Sequence, residues 1–514
     1  MSHTLVDTLV FKLTALLDQI GATADNHLWL GYSGGMDSEL LAYTLARFRQ
    51  THPKTPYQVS LVHVHHGLSR NADAWAAHCR QRAEHYGLNF VLRKVQLELG
   101  PRVSIEAEAR RARYQAIAEL LNPGDILLTA HHQDDQLETL LLALKRGQGP
   151  KGLAAMGQAQ HLALISRAES APCWQLRPML DSSRAQIEQA VASLELPYIN
   201  DESNQDTQYD RNFLRAEVIP VLKQRWPSVA TTASRSAALC AEQQLLLDEV
   251  STEKLQPLLG RCRFSGVRVL DSAGLKVLSP QWQAQLLRQF IQMQRLPLPA
   301  QVQLQQALAQ LLDAREDAQL ELSFKGLLLK RYGQQIYAMA PLPGAAFQLL
   351  DGAGATEDLT AKPSKLTLSQ KQLQALSQGQ SLSVGLAAPW QRLELTLADS
   401  GPRVALAQVM APLMASQLAS PGAKVQPSDA AAAPELVLGL KGSYRCQPHN
   451  RDKGRELKKL WHELGVPPWL RDRVPLLMQN GRLLALAGGF VERSALASGS
   501  EPGIVLKLVA EATP

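Results

Sequence analysis

The sequence predicts an α/β protein: a doubly wound parallel sheet, then an α-rich domain, then a small α+β domain at the C-terminus. Three observations carry this. From residue 28 to residue 145, strand-length apolar runs alternate with amphipathic helical stretches, and such alternation means parallel βαβ units. A glycine loop, Ser33-Gly34-Gly35-Met36-Asp37-Ser38, joins the first strand to its helix, at the strand's carboxyl end, where α/β sheets bind ligands. After residue 215 the alternation stops. Long helical periodicity takes over and yields, near the end, to short strand-like runs.

The elements follow in order. Met1 to Gln19 is an amphipathic helix with Asp7, Lys12 and Asp18 inside it, so it reads as neither signal peptide nor membrane span. His27 to Tyr32 is apolar, as a strand covered on both faces should be. Met36 to Phe48 sets Leu40, Leu41, Leu45 and Phe48 at helical spacing. Between them Gly34 and Gly35 permit positive φ and a close backbone approach. The helix start offers unpaired N–H groups under the positive end of a dipole. With the hydroxyls of Ser33 and Ser38, that is a site for pyrophosphate. A kinase-type P-loop carries Lys at the helix start; this loop carries Asp37 instead.

Gln58 to Val64, Asn89 to Val95 and Asp125 to Thr129 read as further strands. Asp73 to Tyr86, Ile105 to Leu121 and Gln133 to Lys145 read as the helices between and after them. His63-Val64-His65-His66-Gly67-Leu68 ends the second strand. Its histidines alternate with no Cys or carboxylate at metal spacing, so His63 reads as a strand-end group beside a nucleotide rather than a metal ligand. Glu106 to Tyr114 is a charged helix of i,i+4 pairs. After the Asp125 strand comes His131-His132-Gln133-Asp134-Asp135-Gln136-Leu137-Glu138. Asp134 and Asp135 suit a helix start electrostatically. Asp134 and Glu138, four apart, also form a one-sided acidic pair fit for a cation or an ammonium group. His131 and His132 beside them are of the residue type able to move protons near pH 7.

Arg146 to Leu153 is a flexible basic loop, either a plain helix cap or a cover for a phosphate backbone. Residues 154–181 read as a strand pair, Tyr198 to Asn204 as a turn, and Arg211 to Arg215 as a helix start with two arginines i,i+4. Glu217 to Leu259 and Gln281 to Leu312 are helical stretches, the second with Leu286, Leu287, Phe290 and Ile291 on one face, and Leu320 to Met339 alternates like a hairpin. Ser400 to Pro434 is rich in Ala, Pro and Ser, low in charge, and reads as a linker. Val437 to Leu440 and Leu483 to Gly488 read as strands around a helix from Arg455 to Leu464. The expected domains are 1–215, 216–345, a partly mobile linker or insertion at 346–434, and 435–514.

The 514 residues, 45% hydrophobic, suffice for three or four cores, and the net charge of +6 favours a polyanionic partner. Five scattered cysteines without a CxxC point to a reducing cytoplasm and to no zinc or disulfide framework. No apolar run is long enough to cross a membrane.

The glycine loop resembles the PP-loop of N-type ATP pyrophosphatases, which split ATP into AMP and pyrophosphate. Read with His63 to Leu68, Glu106 to Tyr114, Ala130 to Thr139, Arg146 to Leu153, Tyr198 to Asn204 and Arg211 to Arg215, the chain resembles bacterial tRNA(Ile)-lysidine synthetase. Leu457-Lys458-Lys459 and Gly465 to Arg473 resemble that family's C-terminal domain. The second motif departs from the family form at His65 and Ser69, where Asn and Arg are usual.

The resemblance implies that ATP and Mg²⁺ adenylate C2 of the wobble cytidine of a CAU-anticodon isoleucine tRNA, and that L-lysine then displaces AMP to leave lysidine. It implies that Ser33, Gly34, Gly35, Met36, Asp37, Ser38 and His63 bind ATP, and that Asp37 carries Mg²⁺. Arg113 neutralises charge at the base. Asp134, Asp135 and Glu138 recognise or orient lysine, and a carboxylate or His131 takes the amine's proton. Arg146, Lys151, Arg211, Arg215, Lys458, Lys459, Arg471 and Arg473 meet tRNA, from the first, α-rich and C-terminal domains. A homodimer is an admissible assembly. The alternatives are a tRNA thiolase on the same ATP loop, an amidotransferase-type synthetase, and a non-catalytic tRNA-binding protein on a relic ATP fold.

Overall fold

The computed structural model describes residues 4–510 apart from 53–56, 68, 99–104, 163–171, 203–205, 316–319, 343, 346, 350–363, 388 and 412–431. Leu68, Ser203, Asn204 and residues 412–431 of the expected linker lie outside the described residues. The chain forms two compact units, Met1–Glu249 and Val250–Pro514. No helix among the described residues is long and apolar enough to cross a membrane.

The first unit is built on a six-stranded sheet in the order β3-β2-β1-β4-β6-β5. Its strands are β1 (Leu28–Gly31), β2 (Val59–His65), β3 (Asn89–Lys94), β4 (Ile126–Leu128), β5 (Ala159–His161) and β6 (Trp174–Leu176). All pairings are parallel except that of the edge strand β5. The helices are α1 (Leu5–Gln19), α2 (Met36–Thr51), α3 (Ala72–His85), α4 (Ile105–Ala118), α5 (Gln133–Lys145), α6 (Pro150–Leu153) and α7 (Arg184–Ser193).

Both faces of β1 are covered, as its apolar run requires. Leu28 and Leu30 pack with Leu9 and Leu13 of α1, Leu40 and Leu45 of α2 and Ile187 of α7. Trp29 packs on the opposite face with Val62, Ile117 and Leu127. The sheet is therefore doubly wound, as the sequence predicts. The chain runs outward from β1 through β2 to β3 on one side and through β4 to β6 on the other. Strand order reverses between β1 and β4, and the crevice at their carboxyl ends is where such sheets bind ligands.

Past α7 come α8 (Asp210–Phe213), a π-helical turn at Leu214–Val218, α9 (Ile219–Arg225) and α10 (Val229–Leu255). Ile219, Ala230 and Ala233 pack on Leu137 of α5. Chain beyond residue 215 thus belongs to the first unit's packing. The basic loop at 146–153 is partly helical, because Pro150 occupies the first turn of α6 behind Gly149.

The second unit opens with a sheet in the order β7-β8-β11-β10-β9: β7 (Leu259–Arg261), β8 (Arg268–Asp271), β9 (Leu320–Phe324), β10 (Leu327–Tyr332) and β11 (Gln335–Met339). Against it lie α11 (Ser272–Lys276), α12 (Pro280–Met293) and α13 (Gln301–Asp313). The helical stretch expected from 281 to 312 is therefore two helices. Pro297 and Pro299 lie in the break, and Pro removes a helical N–H and pushes its predecessor out of the α region. The alternating segment at 320–339 makes three antiparallel strands, not two.

The linker expectation fails for its described part. Residues 347–411 supply β12 (Phe347–Leu349), β13 (Lys365–Thr367), α14 (Gln370–Ser377), β14 (Leu382–Leu386), β15 (Trp390–Ala398) and β16 (Val404–Ala405). Downstream come β17 (Glu435–Val437), the ribbon of β18 (Arg445–Cys446) and β19 (Arg455–Glu456), α15 (Leu457–Glu463), α16 (Pro468–Arg471), β20 (Leu476–Gln479), β21 (Arg482–Leu486), β22 (Phe490–Val491) and β23 (Gly503–Ala510). The two parts interleave as β12-β14-β15-β23-β16 and β13-β17-β20-β21-β22. Val384, Leu393, Leu395 and Val404 are fully buried in one core with Leu436, Leu476 and Ile504. Of the low-charge stretch 400–434, the described Val404 and Val409 are buried in this core. The helix expected from Arg455 starts two residues later because Arg455 and Glu456 pair with Arg445 and Cys446.

A prediction follows from the pairing of β15 with β23 from Trp390 to Ala398. Ending the chain after Pro434 should not excise a separate domain; it should strip β15 of its partner and expose this core. Limited proteolysis should then cut 365–411 while residues of the first unit stay protected. Continued protection of 365–411 would refute the shared core.

Candidate functional site

The loop after β1 has the shape its glycines predict. Gly34 takes φ +81°, and a Cβ there would lie 2.5 Å from Ile199 Cδ1 and 2.8 Å from Cys79 Sγ. Gly35 is the N-cap of α2 and makes no side-chain cap bond, so the first-turn N–H groups face the crevice. Ser33 Oγ accepts from Gly35 N–H at 3.3 Å and lies 3.0 Å from Ser38 Oγ, which donates to Gly35 O at 2.9 Å. Behind the loop, the Tyr32 hydroxyl donates to the fully buried Glu39, which also binds Arg82 Nε at 2.8 Å and the Tyr86 hydroxyl at 2.6 Å. His63 is buried, and its Nδ1 lies 2.9 Å from Tyr32 O. As a carbonyl only accepts, Nδ1 carries the proton and Nε2 is the acceptor.

Strand β4 delivers the second motif to the same crevice. His132 caps α5: its Nδ1 accepts Asp134 N–H at 3.2 Å, and Asp135 Oδ2 accepts His132 N–H at 2.9 Å. His132 Nε2 then faces Asp135 Oδ2 at 3.6 Å and Asp37 Oδ1 at 3.8 Å. Two motifs a hundred residues apart in sequence thus meet across the switch point.

Each carboxylate already has a cation of the chain. Arg184 Nη1 lies 3.1 Å from Asp37 Oδ1, and Lys223 Nζ 2.5 Å from Asp134 Oδ2. Arg215 binds both Asp135 at 2.8 Å and Glu138 at 2.5 Å. Burial pushes the Asp37 carboxyl up, against the pull of His132 and Arg184. Burial also pushes Glu138 up, against Arg215. Asp135 goes the other way: burial would raise it, but His132, His131 and Arg215 outweigh burial and hold it below the usual carboxylate range. Glu138 is 1% exposed, and its Oε2 has no hydrogen-bond partner.

His131 lies behind this row, with Nδ1 3.0 Å from Thr129 Oγ1. Burial holds its imidazole down to about 3. Arg113 Nε donates to His66 Nε2 at 3.4 Å. Burial lowers Arg113, and burial followed by the Arg113 charge brings His66 down to about 4. No group of three or more His, Cys, Asp or Glu among the described residues could cage a metal. His65 instead faces Asp73 at 3.4 Å. Ser69 Oγ accepts Asn71 N–H at 3.1 Å ahead of α3, so both positions that depart from the family form do local structural work.

Residues 7–222 match the PP-loop domain, residues 270–337 the TilS substrate binding domain, and residues 436–508 the TilS substrate C-terminal domain. The tRNA(Ile)-lysidine synthase of Shewanella oneidensis is 48% identical over 488 residues, covering 95% of this chain and 96% of that one. The Shewanella woodyi enzyme of the same name is 44% identical over 499 residues, 96% of each chain. That of Escherichia coli O157:H7 is 36% identical over 479 residues, covering 92% and 94%. The chain belongs to the tRNA(Ile)-lysidine synthase family.

Its expected tRNA-facing residues divide by environment. Arg146, Lys151, Lys458 and Lys459 are exposed. Arg211 leans on Glu106 at 3.6 Å and Glu138 at 4.0 Å, and Arg215 is held in the acidic row. Arg471 Nε donates to Val466 O at 3.2 Å, and burial lowers Arg473. Neither Arg184 nor Lys223 was expected at the crevice. Arg184 had a signal: it sits in the first turn of α7, behind the Ser183 cap, where the helix dipole disfavours a cation, so a nearby anion was implied. Lys223 had none, since only the fold of α9 onto α5 brings it to Asp134. The π-helical turn carrying Arg215 is of a kind found often at functional sites.

The histidines make the family fold acid-sensitive. His131, His63 and His66 are all lowered by burial in the folded chain, whereas an unfolded histidine titrates near about 6.5. Below that value the unfolded chain binds more protons, so stability is complete above it and is lost as pH falls toward about 4. His131→Gln should flatten this slope. Melting temperature against pH measures it, and an unchanged slope would count against His131 as a contributor.

Proposed function

We propose that the chain ligates L-lysine to the wobble cytidine of the CAU-anticodon isoleucine tRNA in two steps. The cytidine O2 attacks the α-phosphorus of ATP, and the bond to pyrophosphate breaks. The lysine ε-amine then attacks C2, its proton is removed, and the C2–O bond breaks as AMP leaves with the oxygen. The product, lysidine, moves the tRNA from AUG to AUA. The observation that supports this reading is the meeting of the glycine loop and the acidic segment, with Asp37 Oδ1 3.8 Å from His132 Nε2.

The loop residues Ser33 to Ser38 and the α2 N-terminus hold the leaving pyrophosphate, and His63 fixes the loop at Tyr32 and offers Nε2 to the nucleotide. Magnesium fits here. It binds through one or two carboxylates plus substrate phosphates rather than an all-protein cage, and Asp37 offers one carboxylate at the helix start, 3.1 Å from Arg184 Nη1. Asp37 would hold it, and the ion would neutralise phosphate charge. Arg113, exposed and ion-paired with no carboxylate among the described residues, stabilises negative charge near the base. Glu138 Oε2, buried without a hydrogen bond and 4.0 Å from Arg211 Nη1, receives the lysine ammonium or the proton it sheds, with Asp135 beside it. His131, held to about 3, is too weak a base for that proton. Lys458, Lys459, Arg473, Arg146, Lys151 and Arg211 meet the tRNA backbone, which makes binding salt-dependent. A thiolase would need a reactive thiolate, and Cys79, the cysteine beside the loop, is buried, its thiol pushed up to about 12.

The test is incubation of the full chain with ATP, labelled lysine and total tRNA, followed by nucleoside analysis. Label in a lysine-bearing cytidine is expected; its absence overturns the reading. Glu138→Gln should raise the KM for lysine about tenfold or more, as losing one charge-assisted bond does, and move the KM for ATP less than about twofold. Equal changes in both would remove Glu138 from the lysine site.

A further inference from the structure

A hydrogen-bond string that the proposed steps do not use ends on His131. It begins at Arg177, 3% exposed, whose Nη2 donates to Gln175 Oε1 at 2.8 Å. A guanidinium only donates, so this contact settles which way the Gln175 amide points. Gln175 Nε2 therefore faces the other way and donates to the Tyr114 hydroxyl and to Thr129 Oγ1, each at 3.1 Å. Thr129 Oγ1 has then accepted a hydrogen bond and has its own hydrogen to place. The acceptor within reach is His131 Nδ1, at 3.0 Å. A hydroxyl has one proton to give and two lone pairs, so this contact can run either way; with Thr129 as the donor, Nδ1 accepts and the neutral ring carries its proton on Nε2. His131 Nε2 has no hydrogen-bond partner among the described residues, and it is not among the atoms sealed from solvent without one. His131 stands three residues past the end of β4, at the carboxyl edge of the sheet.

We propose that Arg177, Gln175 and Thr129 are positioning residues that lock His131 as a neutral Nε2–H donor to a substrate oxygen that gains negative charge as AMP is transferred or departs. The role rests on the lysidine-forming reading above; the tautomer does not. Burial supports the neutral form, since it holds the ring uncharged at physiological pH. A donor fixed in advance, in a site poor in water, lowers the cost of developing charge at an oxyanion. The proton of the lysine amine goes elsewhere, to the carboxylates.

A glutamine side chain can donate from a similar place but cannot take up a proton, so substitution separates donor from base. His131→Gln should lose no more than about tenfold in kcat, and His131→Ala about a hundredfold or more, the usual effect of removing one such donor. Thr129→Val should lower kcat with KM for ATP and lysine unchanged, and Thr129→Ser should restore it. A folded His131→Gln as inactive as His131→Ala, with matching melting temperatures, overturns the donor role. The tautomer is read independently by nitrogen-15 spectra of the histidine-labelled full chain, with the His131 signal assigned by its loss in His131→Gln. The Nε2–H tautomer is expected in the wild type and a mixture in Thr129→Val. An Nδ1–H tautomer in the wild type overturns the positioning string whether or not lysine is transferred, while a correct tautomer in a chain that transfers no lysine would count against the reaction and leave the string standing.

Discussion

Asp37→Asn should lower tRNA-dependent release of pyrophosphate from ATP by about a thousandfold while tRNA affinity stays within about twofold. The magnitude is that of removing a charge aimed at a phosphoryl-type transition state in a desolvated site. The substitution keeps the shape of the side chain and removes only its charge, so α2 and the loop should fold as before. The carboxylate is half-buried at the helix start, its ionised form disfavoured by desolvation and sustained by His132 and Arg184. In the neutral variant Arg184 loses its partner at 3.1 Å and keeps Glu188 at 2.9 Å. No counter-charge is then left at the loop to hold a divalent cation against the phosphates. Pyrophosphate release measured with and without tRNA, alongside filter binding of tRNA, gives both numbers. A variant within about tenfold of wild type would remove Asp37 from the nucleotide chemistry, and a parallel loss of tRNA binding would point to misfolding instead.

The difference between Asp37 and Arg184 shows what the sequence could carry. Asp37 stands in a short string whose glycines, hydroxyls and helix start are local, so its place at a strand's carboxyl end was legible. Its cation comes from 147 residues away, and only the packing of α7 beside α2 brings it there. The acidic segment behaves the same way. The i,i+4 spacing of Asp134 and Glu138 was visible, but their ties to Lys223 and Arg215 depend on α9 and a π-helical turn folding back over α5. In the sheet, strand positions were legible because each is an apolar run between turns, and parallel pairing followed from βα alternation, whereas the strand order came only from the fold. The second unit was less so. Leu382, Val384 and Leu386 alternate at strand period, as do Leu393, Leu395 and Leu397 of β15, but a bulge between Trp390 and Arg392 shifts the register. The partner strand of β15, β23, lies about a hundred residues on, beyond a segment whose composition resembles a linker.

Gly34→Ala should raise the KM for ATP by about a hundredfold and leave the melting temperature within a few degrees. Two costs act together. An alanine at φ +81° sits in the left-handed region, at about 1–2 kcal/mol. Its Cβ would lie 2.5 Å from Ile199 Cδ1 and 2.8 Å from Cys79 Sγ, and forcing a methyl into packed surroundings costs about 1–3 kcal/mol. Ile199 cannot simply withdraw, because its N–H donates to Gly34 O at 2.9 Å. Relief must come from the loop opening away from the helix start, where its N–H groups would meet phosphate. A total near 3 kcal/mol corresponds to about a hundredfold in affinity. Adding Ile199→Ala separates the two costs: the double variant should recover about tenfold, the steric share, and keep the deficit due to φ. Full recovery would show the backbone conformation to be immaterial, and no recovery would show that the loop does not press on Ile199. A Gly34→Ala chain that binds ATP normally would break the link between the loop's shape and nucleotide binding, on which every step assigned to this crevice depends.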